Sequence, residues 1–284
     1  MKLIIQPDDG VAPVVKSIQK AKKAIDIVIF RFDLTPIERA LHDAIKRGVN
    51  VRALIAHTNT GGEKNLRKLE LRLLEAGATV ARTADDLTRY HGKMMIVDDR
   101  VLHIYGFNYT KLDIEKSRSF GLMTRERRIV SEAIKLFDAD ALRQNYTPSH
   151  RRLVVSPENS RALLTEFIKG ARKQLLIYDA QVSDNAFQKL LQERAKAGVE
   201  IRILGKLEKS LNGVKVRKPS DLRLHVRAIV RDGSEAFIGS QSLRRLELDG
   251  RREVGILFKN AGIVRRIQAV FEADWRKKSR TKAA

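Results

Sequence analysis

Short apolar runs alternate along this chain with longer stretches whose apolar residues recur at three- and four-residue spacing. "IDIVIF" (25–30), "VRALI" (51–55) and "MMIV" (94–97) have the compactness and Ile/Val content of buried strands, and "LLIY" (175–178) and "IRIL" (201–204) repeat the pattern further on. Between them Leu66, Leu69, Leu73 and Leu74 fall at helical spacing, as do Ile263, Ile267, Val270, Phe271 and the lone Trp275 near the end. The last stripe reads as core packing. Strand and helix periods in alternation predict an α/β protein in which helices cover a sheet.

The order of these elements occurs twice. "AKKAIDIVIF" (21–30) lies over "ARKQLLIYDA" (171–180), and "GVNVRALI" (48–55) over "GVEIRILG" (198–205), both at an offset of 150 residues. Past this point the offset is 134: "HGKMMIVDD" (91–99) lies over "HVRAIVRDG" (225–233), and "SRSFG" (117–121) over "RREVG" (251–255). The 16-residue difference predicts an extra helix in the first half, built on the four leucines named above. In its place the second half has "KLEKSLNGVKVRKPSDL", which reads as an irregular basic loop. Each half closes on a helix, the first over about 125–144, and "NYTPSHRR" suits a linker. The expected organisation is two repeats, residues 1–146 and 151–278, with a frayed tail at "KKSRTKAA".

The candidate chemistry lies inside the repeat. His91-x-Lys93-x4-Asp98 brackets "MMIV", and His225-x-Arg227-x4-Asp232 stands in the equivalent place. One copy reads equally well as a strand with polar ends. Two copies, each keeping histidine, cation and carboxylate, call for another reason, because strand stability needs no histidine beside a cation. Alternation along a strand lets residues i and i+2 share a face. A pseudo-twofold interface would then gather two imidazoles and two cations about one cavity, the cations gripping the non-bridging oxygens of a phosphodiester. Imidazoles titrate near neutrality and suit both nucleophile and general acid. Each aspartate is expected to orient an imidazole or hold its protonation state. Among the other histidines, His42 reads as helix surface, His150 as linker and His103 as neighbour to a strand; His57 follows a strand and could line the mouth of a site.

The paired motifs resemble those of the phospholipase D superfamily, over nearly the whole chain. There H-x-K-x4-D continues into G-S-x-N, with the asparagine seventeen residues after the histidine; Asn108 and Ser242 hold that place here. An acidic residue often follows eleven further on, matched by Glu253 in the second half and replaced by Ser119 in the first. Gly239-Ser240 supplies G-S, whereas the first half has Tyr105-Gly106, and Arg227 stands where the family has lysine. The resemblance implies a duplicated phospholipase D-like fold, two mixed-sheet α/β halves packed about a pseudo-twofold axis. It implies a phosphodiesterase or phosphatidyltransferase that acts on phospholipids, as the cardiolipin synthases of the family do, through a covalent phosphohistidine and without metal or organic cofactor. By the same resemblance His91 is the nucleophile and His225 the general acid, while Asn108, Ser240, Ser242 and Glu253 contact substrate.

Composition widens the choice of substrate. Lys and Arg number 56 against 34 Asp and Glu, a net charge of +22, which concentrates polyanions of any kind. A metal-independent nuclease of the same superfamily is therefore the alternative, although aromatics at 6% offer no base-stacking stripe. The departures at Arg227 and in G-S-x-N also admit a non-catalytic module that binds phosphate or nucleic acid. The absence of cysteine excludes disulfides, thiolate metal sites and a cysteine nucleophile. "MKLIIQPDDG" lacks the apolar region of a signal peptide, and no apolar segment approaches the roughly 20 residues of a membrane span. The expectation is a cytoplasmic protein able to sit peripherally on anionic lipid, with no obligate protein partner.

Overall fold

The structure is a computed structural model and describes residues 1–58, 63–218 and 222–277. The first half runs β1 (Lys2–Gln6), α1 (Ala12–Gln19), β2 (Ala24–Ile29), α2 (Thr35–Lys46), β3 (Asn50–Ile55), α3 (Glu63–Glu75), β4 (Thr79–Arg82), β5 (Arg89–Tyr90), β6 (Met94–Val97), β7 (Val101–Tyr105), α4 (Lys111–Glu115), β8 (Ser117–Thr124) and α5 (Arg127–Ala141). The second runs β9 (Leu153–Ser156), α6 (Ser160–Lys169), β10 (Gln174–Val182), α7 (Asn185–Lys196), β11 (Glu200–Leu207), β12 (Val214–Arg217), β13 (Arg223–Leu224), β14 (Arg227–Arg231), β15 (Glu235–Gly239), α8 (Arg245–Asp249), β16 (Arg251–Lys259) and α9 (Ala261–Arg276).

Each half builds an eight-stranded mixed sheet. The orders are β1-β8-β7-β6-β2-β3-β4 with β13 on β8, and β12-β11-β10-β14-β15-β16-β5 with β9 on β16. The extra helix of the first half is α3, with Leu66, Leu69 and Leu73 buried; Leu74, expected on the same stripe, is 47% exposed. The basic loop of the second half is corrected in part. "VKVR" alternates apolar and charged residues, the period of an edge strand, and forms β12 parallel to β11. Its lysine and arginine content concealed that pattern. The expected tail from residue 278 onward lies outside the described residues.

Strand alternation divides each sheet's side chains between two cores. On β6, Met94 and Ile96 enter one cluster while Met95 and Val97 enter another. The outer face of the first sheet packs against α1, α2 and α3, and that of the second against α6 and α7. The inner faces of both sheets share a single cluster with α5 and α9, including Ile263, Ile267, Phe271 and Trp275 of the closing stripe. The halves therefore share one core rather than touching at a surface.

Two reciprocal exchanges join them. The short β5 leaves its own half to pair in parallel with β16, and β13 pairs likewise with β8. Beside each exchange is a buried arginine. Arg118 on β8 donates through Nε to Asp274 of α9 at 2.8 Å, and Arg252 on β16 donates to Asp140 of α5 at 3.1 Å. Arg118 also reaches the Gln6 carbonyl and Asp8, as Arg252 reaches the Ser156 carbonyl and Glu158. All these pairs obey the sequence repeat. Removing one member of so buried a pair leaves the other uncompensated, so Arg118→Met is expected to cost roughly 3–5 kcal/mol. Urea denaturation measures this; a loss below about 1 kcal/mol would mean that Asp274 is satisfied without Arg118.

Candidate active site

The exchanges deliver the motif histidines to one place. His91 and Gly92 follow β5 and donate their N–H groups to the Arg252 carbonyl, at 2.7 and 2.9 Å. His225 follows β13 and donates its N–H to the Arg118 carbonyl at 3.1 Å. Residues 91–93 are irregular chain between β5 and β6, so the expected single strand through His91 and Lys93 is broken there. The two side chains nevertheless meet: Lys93 Nζ lies 2.8 Å from His91 Nε2. Gly92 is required by the contact between halves, since a Cβ there would stand 2.8 Å from Val254 Cγ2.

Each imidazole faces a carboxylate from the opposite half. His91 Nδ1 lies 2.8 Å from Glu253 Oε2, and His225 Nδ1 lies 3.3 Å from Asp113 Oδ2. With Glu253 ionised, Nδ1 carries the ring proton of His91 and Nε2 keeps its lone pair. Asp113 sits in the first turn of α4, capped by Thr110, and also accepts from the backbone and side chain of Asn108 at 2.8 and 2.7 Å and from Arg223 at 2.5 Å. Its counterpart in the repeat is Glu247 of α8, which accepts from the Ser242 N–H at 2.8 Å. The first half thus lacks a glutamate at Ser119 and presents Asp113 to His225 instead. The Ser119 hydroxyl donates to the His225 carbonyl at 2.8 Å and so fixes that histidine from behind.

Arg227 and Ser242 fit each other in the same complementary way. Arg227 donates through Nε to Ser242 Oγ at 3.2 Å. The equivalent positions of the first half hold the shorter Lys93 and the longer Asn108, and those of the second the longer arginine and the shorter serine. Arg227 also lies near Asp179, a fully buried carboxylate that accepts from the Leu243 N–H at 2.7 Å and is pushed up to about 6 by burial, with Arg227 opposing. Ser240 is committed to β16, donating to the Val254 carbonyl and accepting from its N–H at 3.1 Å. It supports Glu253 from its side rather than standing free for a substrate.

The motif aspartates do not reach the imidazoles, which corrects the expected orienting role of Asp98 and Asp232. Asp98 accepts from the N–H groups of Lys22, Lys23 and Ala24, and Asp232 from those of Arg172, Lys173 and Gln174. They open the two-residue hairpins after β6 and β14 with φ of 53° and 52°, a left-handed conformation that aspartate tolerates. Four strand residues, Met94–Val97, separate Lys93 from Asp98, and the five steps span on the order of 16 Å. Their conserved place in both halves is explained by anchoring β2 to β6 and β10 to β14. Asp113 and Glu247 were the carboxylates to find; they hold the 134-residue offset, five positions after Asn108 and Ser242.

The cluster is dry and cationic. His91, Lys93, Asn108, His225, Arg227, Ser242 and Glu253 are all less than 9% exposed. Both imidazoles are held well below their usual range, first by burial and then by Lys93 and Arg227, each cation acting on both rings. Lys93 itself is pushed down to about 7, mainly by burial, with Glu253 opposing and Arg227 adding. Burial raises Glu253 despite Lys93 beside it. Asn108 Oδ1, His225 Nδ1, Arg227 Nη1 and Glu253 Oε1 are buried without a hydrogen-bond partner among the described residues. Of these, Arg227 Nη1 is a free donor suited to a phosphoryl oxygen, whereas Asn108 Oδ1 and Glu253 Oε1 can only accept. Among the described residues no group of three His, Asp or Glu could hold a metal ion.

The family model described as "Cardiolipin synthase, PLD-like domain" matches residues 14–141 and 164–275. The chain belongs to this PLD-like family. The probable cardiolipin synthase YwiE of Bacillus subtilis (strain 168) is 22% identical over 329 aligned positions, which cover 96% of the PLD-like chain and 65% of YwiE. The chain therefore spans less than two thirds of that relative. Among solved structures, the polyphosphate kinase of Porphyromonas gingivalis superposes with a TM-score of 0.80 at 20% identity, covering 100% of this chain and 52% of the kinase. The phosphatidylserine synthase of Haemophilus influenzae Rd KW20 gives 0.72 at 11% identity, covering 97% and 86%. These likenesses establish the shared duplicated fold.

Two outcomes follow from this geometry. If Arg227 and Ser242 are matched partners, Arg227→Lys and Ser242→Asn each lower turnover of the PLD-like chain, and the double variant recovers. A coupling of about 1–2 kcal/mol, roughly tenfold, is expected in a double-mutant cycle; additive losses would show the two residues to be independent. The depressed imidazoles also bind protons on unfolding, once the pH falls below their ordinary 6.5. The unfolded state then holds more protons, so stability should fall as pH is lowered through that window. Denaturation between about pH 5 and pH 8 measures the slope, and His91→Asn with His225→Asn should flatten it.

Proposed function

We propose that this chain catalyses transfer at phospholipid phosphodiesters through a covalent phosphohistidine. The observation that carries the reading is the meeting of two buried imidazoles with Lys93 and Arg227, each imidazole beside a carboxylate that can fix its tautomer. The lipid class is supported by the family description and by the likeness to a probable cardiolipin synthase.

In this reading Lys93 and Arg227 take the non-bridging oxygens, and Asn108 turns a hydrogen bond toward the same group. His91 Nε2 attacks phosphorus, forming the N–P bond as the P–O bond to the leaving alcohol breaks. His225 delivers a proton to that alcohol. Its depressed pKa in the free protein rises once the anionic phosphate offsets Arg227, Lys93 and Arg223, the cations that hold it down. Neutral His225 then takes the proton of an incoming water or alcohol, whose oxygen attacks phosphorus and releases His91. Hydrolysis and headgroup exchange differ only in that acceptor. Asp113 and Glu253 orient the rings, while Asp98 and Asp232 hold the strands. Among the described residues no helix is long and apolar enough to cross a membrane, so access to lipid would rest on the basic surface.

The test uses phosphatidylglycerol vesicles and single-stranded DNA as rival substrates, at moderate salt and with chelator present. Vesicle turnover with an acid-labile, base-stable phosphoprotein supports the proposal. His91→Ala should lower turnover by at least about 10³-fold. DNA cleavage without lipid turnover would move the chain to the nuclease reading, and turnover indifferent to His91→Ala would sink the phosphohistidine mechanism. Asp113→Asn should lower kcat by at least about tenfold, as loss of a histidine's orienting carboxylate does; an unchanged rate would remove Asp113 from the mechanism.

A further inference from the structure

The two halves differ at a place remote from the motif histidines. Where the hairpin leads from β6 into β7, a cavity of about 880 Å³ opens between α1, β8 and the start of α5. The equivalent place in the second half is reduced to about 190 Å³. There Arg231 lies 4.5 Å from the Phe167 ring centroid, donates to the Phe167 carbonyl at 2.9 Å and pairs with Glu235. Val97, Ser17 and Val101 hold those three positions in the first half. The plug is missing, and the space stays open.

The wall of this cavity is strongly basic. Seven lysine and arginine side chains line it, among them Lys2, Lys16, Arg125 and Arg127, against Asp98 and Asp99. None of the seven forms an ion pair or side-chain hydrogen bond with a described residue. The Asp98 carboxylate is taken up by the N–H groups of residues 22–24. The second half carries Glu166 where Lys16 stands, and its lining cations Arg151, Arg152 and Lys259 are paired with Glu166, Glu126 and Glu235.

At the base of the cavity is a buried relay. Ser17 Oγ lies 2.8 Å from His103 Nε2, and His103 Nδ1 lies 2.8 Å from the Tyr105 hydroxyl. His103 and Tyr105 are fully buried, and burial pushes His103 down to about 3, so its ring carries one proton. With the Tyr105 hydroxyl donating to His103 Nδ1, the ring proton lies on Nε2 and is donated to Ser17 Oγ. The hydroxyl proton of Ser17 is then left to donate into the cavity that Ser17 lines. Phe167, Phe237 and Gly239 replace the three residues in the second half, where no such relay exists.

We propose that this cavity is a second site that binds a phosphate ester, separate from the motif histidines. Its cations hold the phosphate oxygens, Ser17 donates to one of them, and the apolar lining at Pro13, Val101 and Met123 accommodates the esterified group. Its volume falls within the roughly 300–1,000 Å³ of small-molecule sites. The same chemistry belongs to a soluble phosphorylated metabolite and to a phospholipid headgroup.

The experiment titrates the full chain with glycerol 3-phosphate by calorimetry, and with phosphatidylglycerol vesicles by co-sedimentation. Five forms are compared: wild type, His91→Ala with His225→Ala, Lys16→Glu with Arg125→Glu, Ser17→Phe with Val97→Arg and Val101→Glu, and the control Lys189→Glu with Lys196→Glu. Saturable binding should survive loss of both motif histidines and fall roughly tenfold or more on reversal of Lys16 and Arg125, two exposed positions outside the motif site. The triple variant, which installs the plug of the second half, should lose it too. If that variant does not fold, the exposed pair still decides. Glycerol 3-phosphate bound in this pattern assigns a soluble ligand, and vesicles alone assign a headgroup. Loss of all binding without the motif histidines, no change on reversal of Lys16 and Arg125, or an equal loss on reversing Lys189 and Lys196 elsewhere overturns the proposal.

Discussion

Two arginines set the geometry on which the rest depends. Arg118 and Arg252 are buried between the halves, and each places its guanidinium on an aspartate of the other half's closing helix. The same residues offer their main-chain carbonyls to the other half's motif histidine. One residue thus both locks the interface and registers an imidazole, so the packing of α5 and α9 is mechanically tied to the position of the chemistry. A buried ion pair is poor evidence of net stability, because desolvation offsets most of its attraction. Here its value is positional: the arginine that would be most expensive to misplace is the one whose backbone holds the histidine.

The site is symmetric in plan and asymmetric in detail, and the asymmetries compensate one another. Lys93 and Asn108 stand where the second half has Arg227, which reaches the shorter Ser242. Glu253 serves His91 directly, whereas Asp113, from the position that Glu247 uses to hold Ser242, serves His225. A decaying second half would be expected to leave misfitting remnants. These substitutions instead arrive in matched pairs of size and charge, which favours two working half-sites over one site and a relic.

Much of the fold was legible because duplication doubles every weak signal. The offsets of 150 and 134 residues located the strands, the extra helix α3 and the paired histidines without any tertiary information. What stayed hidden was hidden for physical reasons. The strand β12 was masked by its lysine and arginine, because an edge strand needs charge and so resembles a loop. The motif aspartates misled because sequence proximity suggested proximity to the imidazoles, while an extended strand carries them to the opposite end of the sheet. Asp113 was passed over because α4 folds it back onto Asn108, a turn that spacing alone does not reveal. The exchange of β5 and β13 between sheets rests on two-residue strands, too short to carry any pattern.

In the proposed mechanism, the electrostatics of the free site bear on the order of events. Burial and the two cations keep both imidazoles neutral, and burial brings Lys93 down to about 7. A neutral His91 has the lone pair a nucleophile needs, but a neutral His225 has no proton to give. The missing quantity is negative charge, and a phosphodiester supplies it. Its arrival between Lys93 and Arg227 offsets the cations that depress His225, so the ring gains basicity at the moment a proton is required on it. The same cations depress His91, whose Nδ1 lies 2.8 Å from Glu253 and whose Nε2 lies 2.8 Å from Lys93 Nζ. The two imidazoles differ in their carboxylates, Glu253 at 2.8 Å from His91 and Asp113 at 3.3 Å from His225, and on the proposed mechanism this difference accompanies their separate roles.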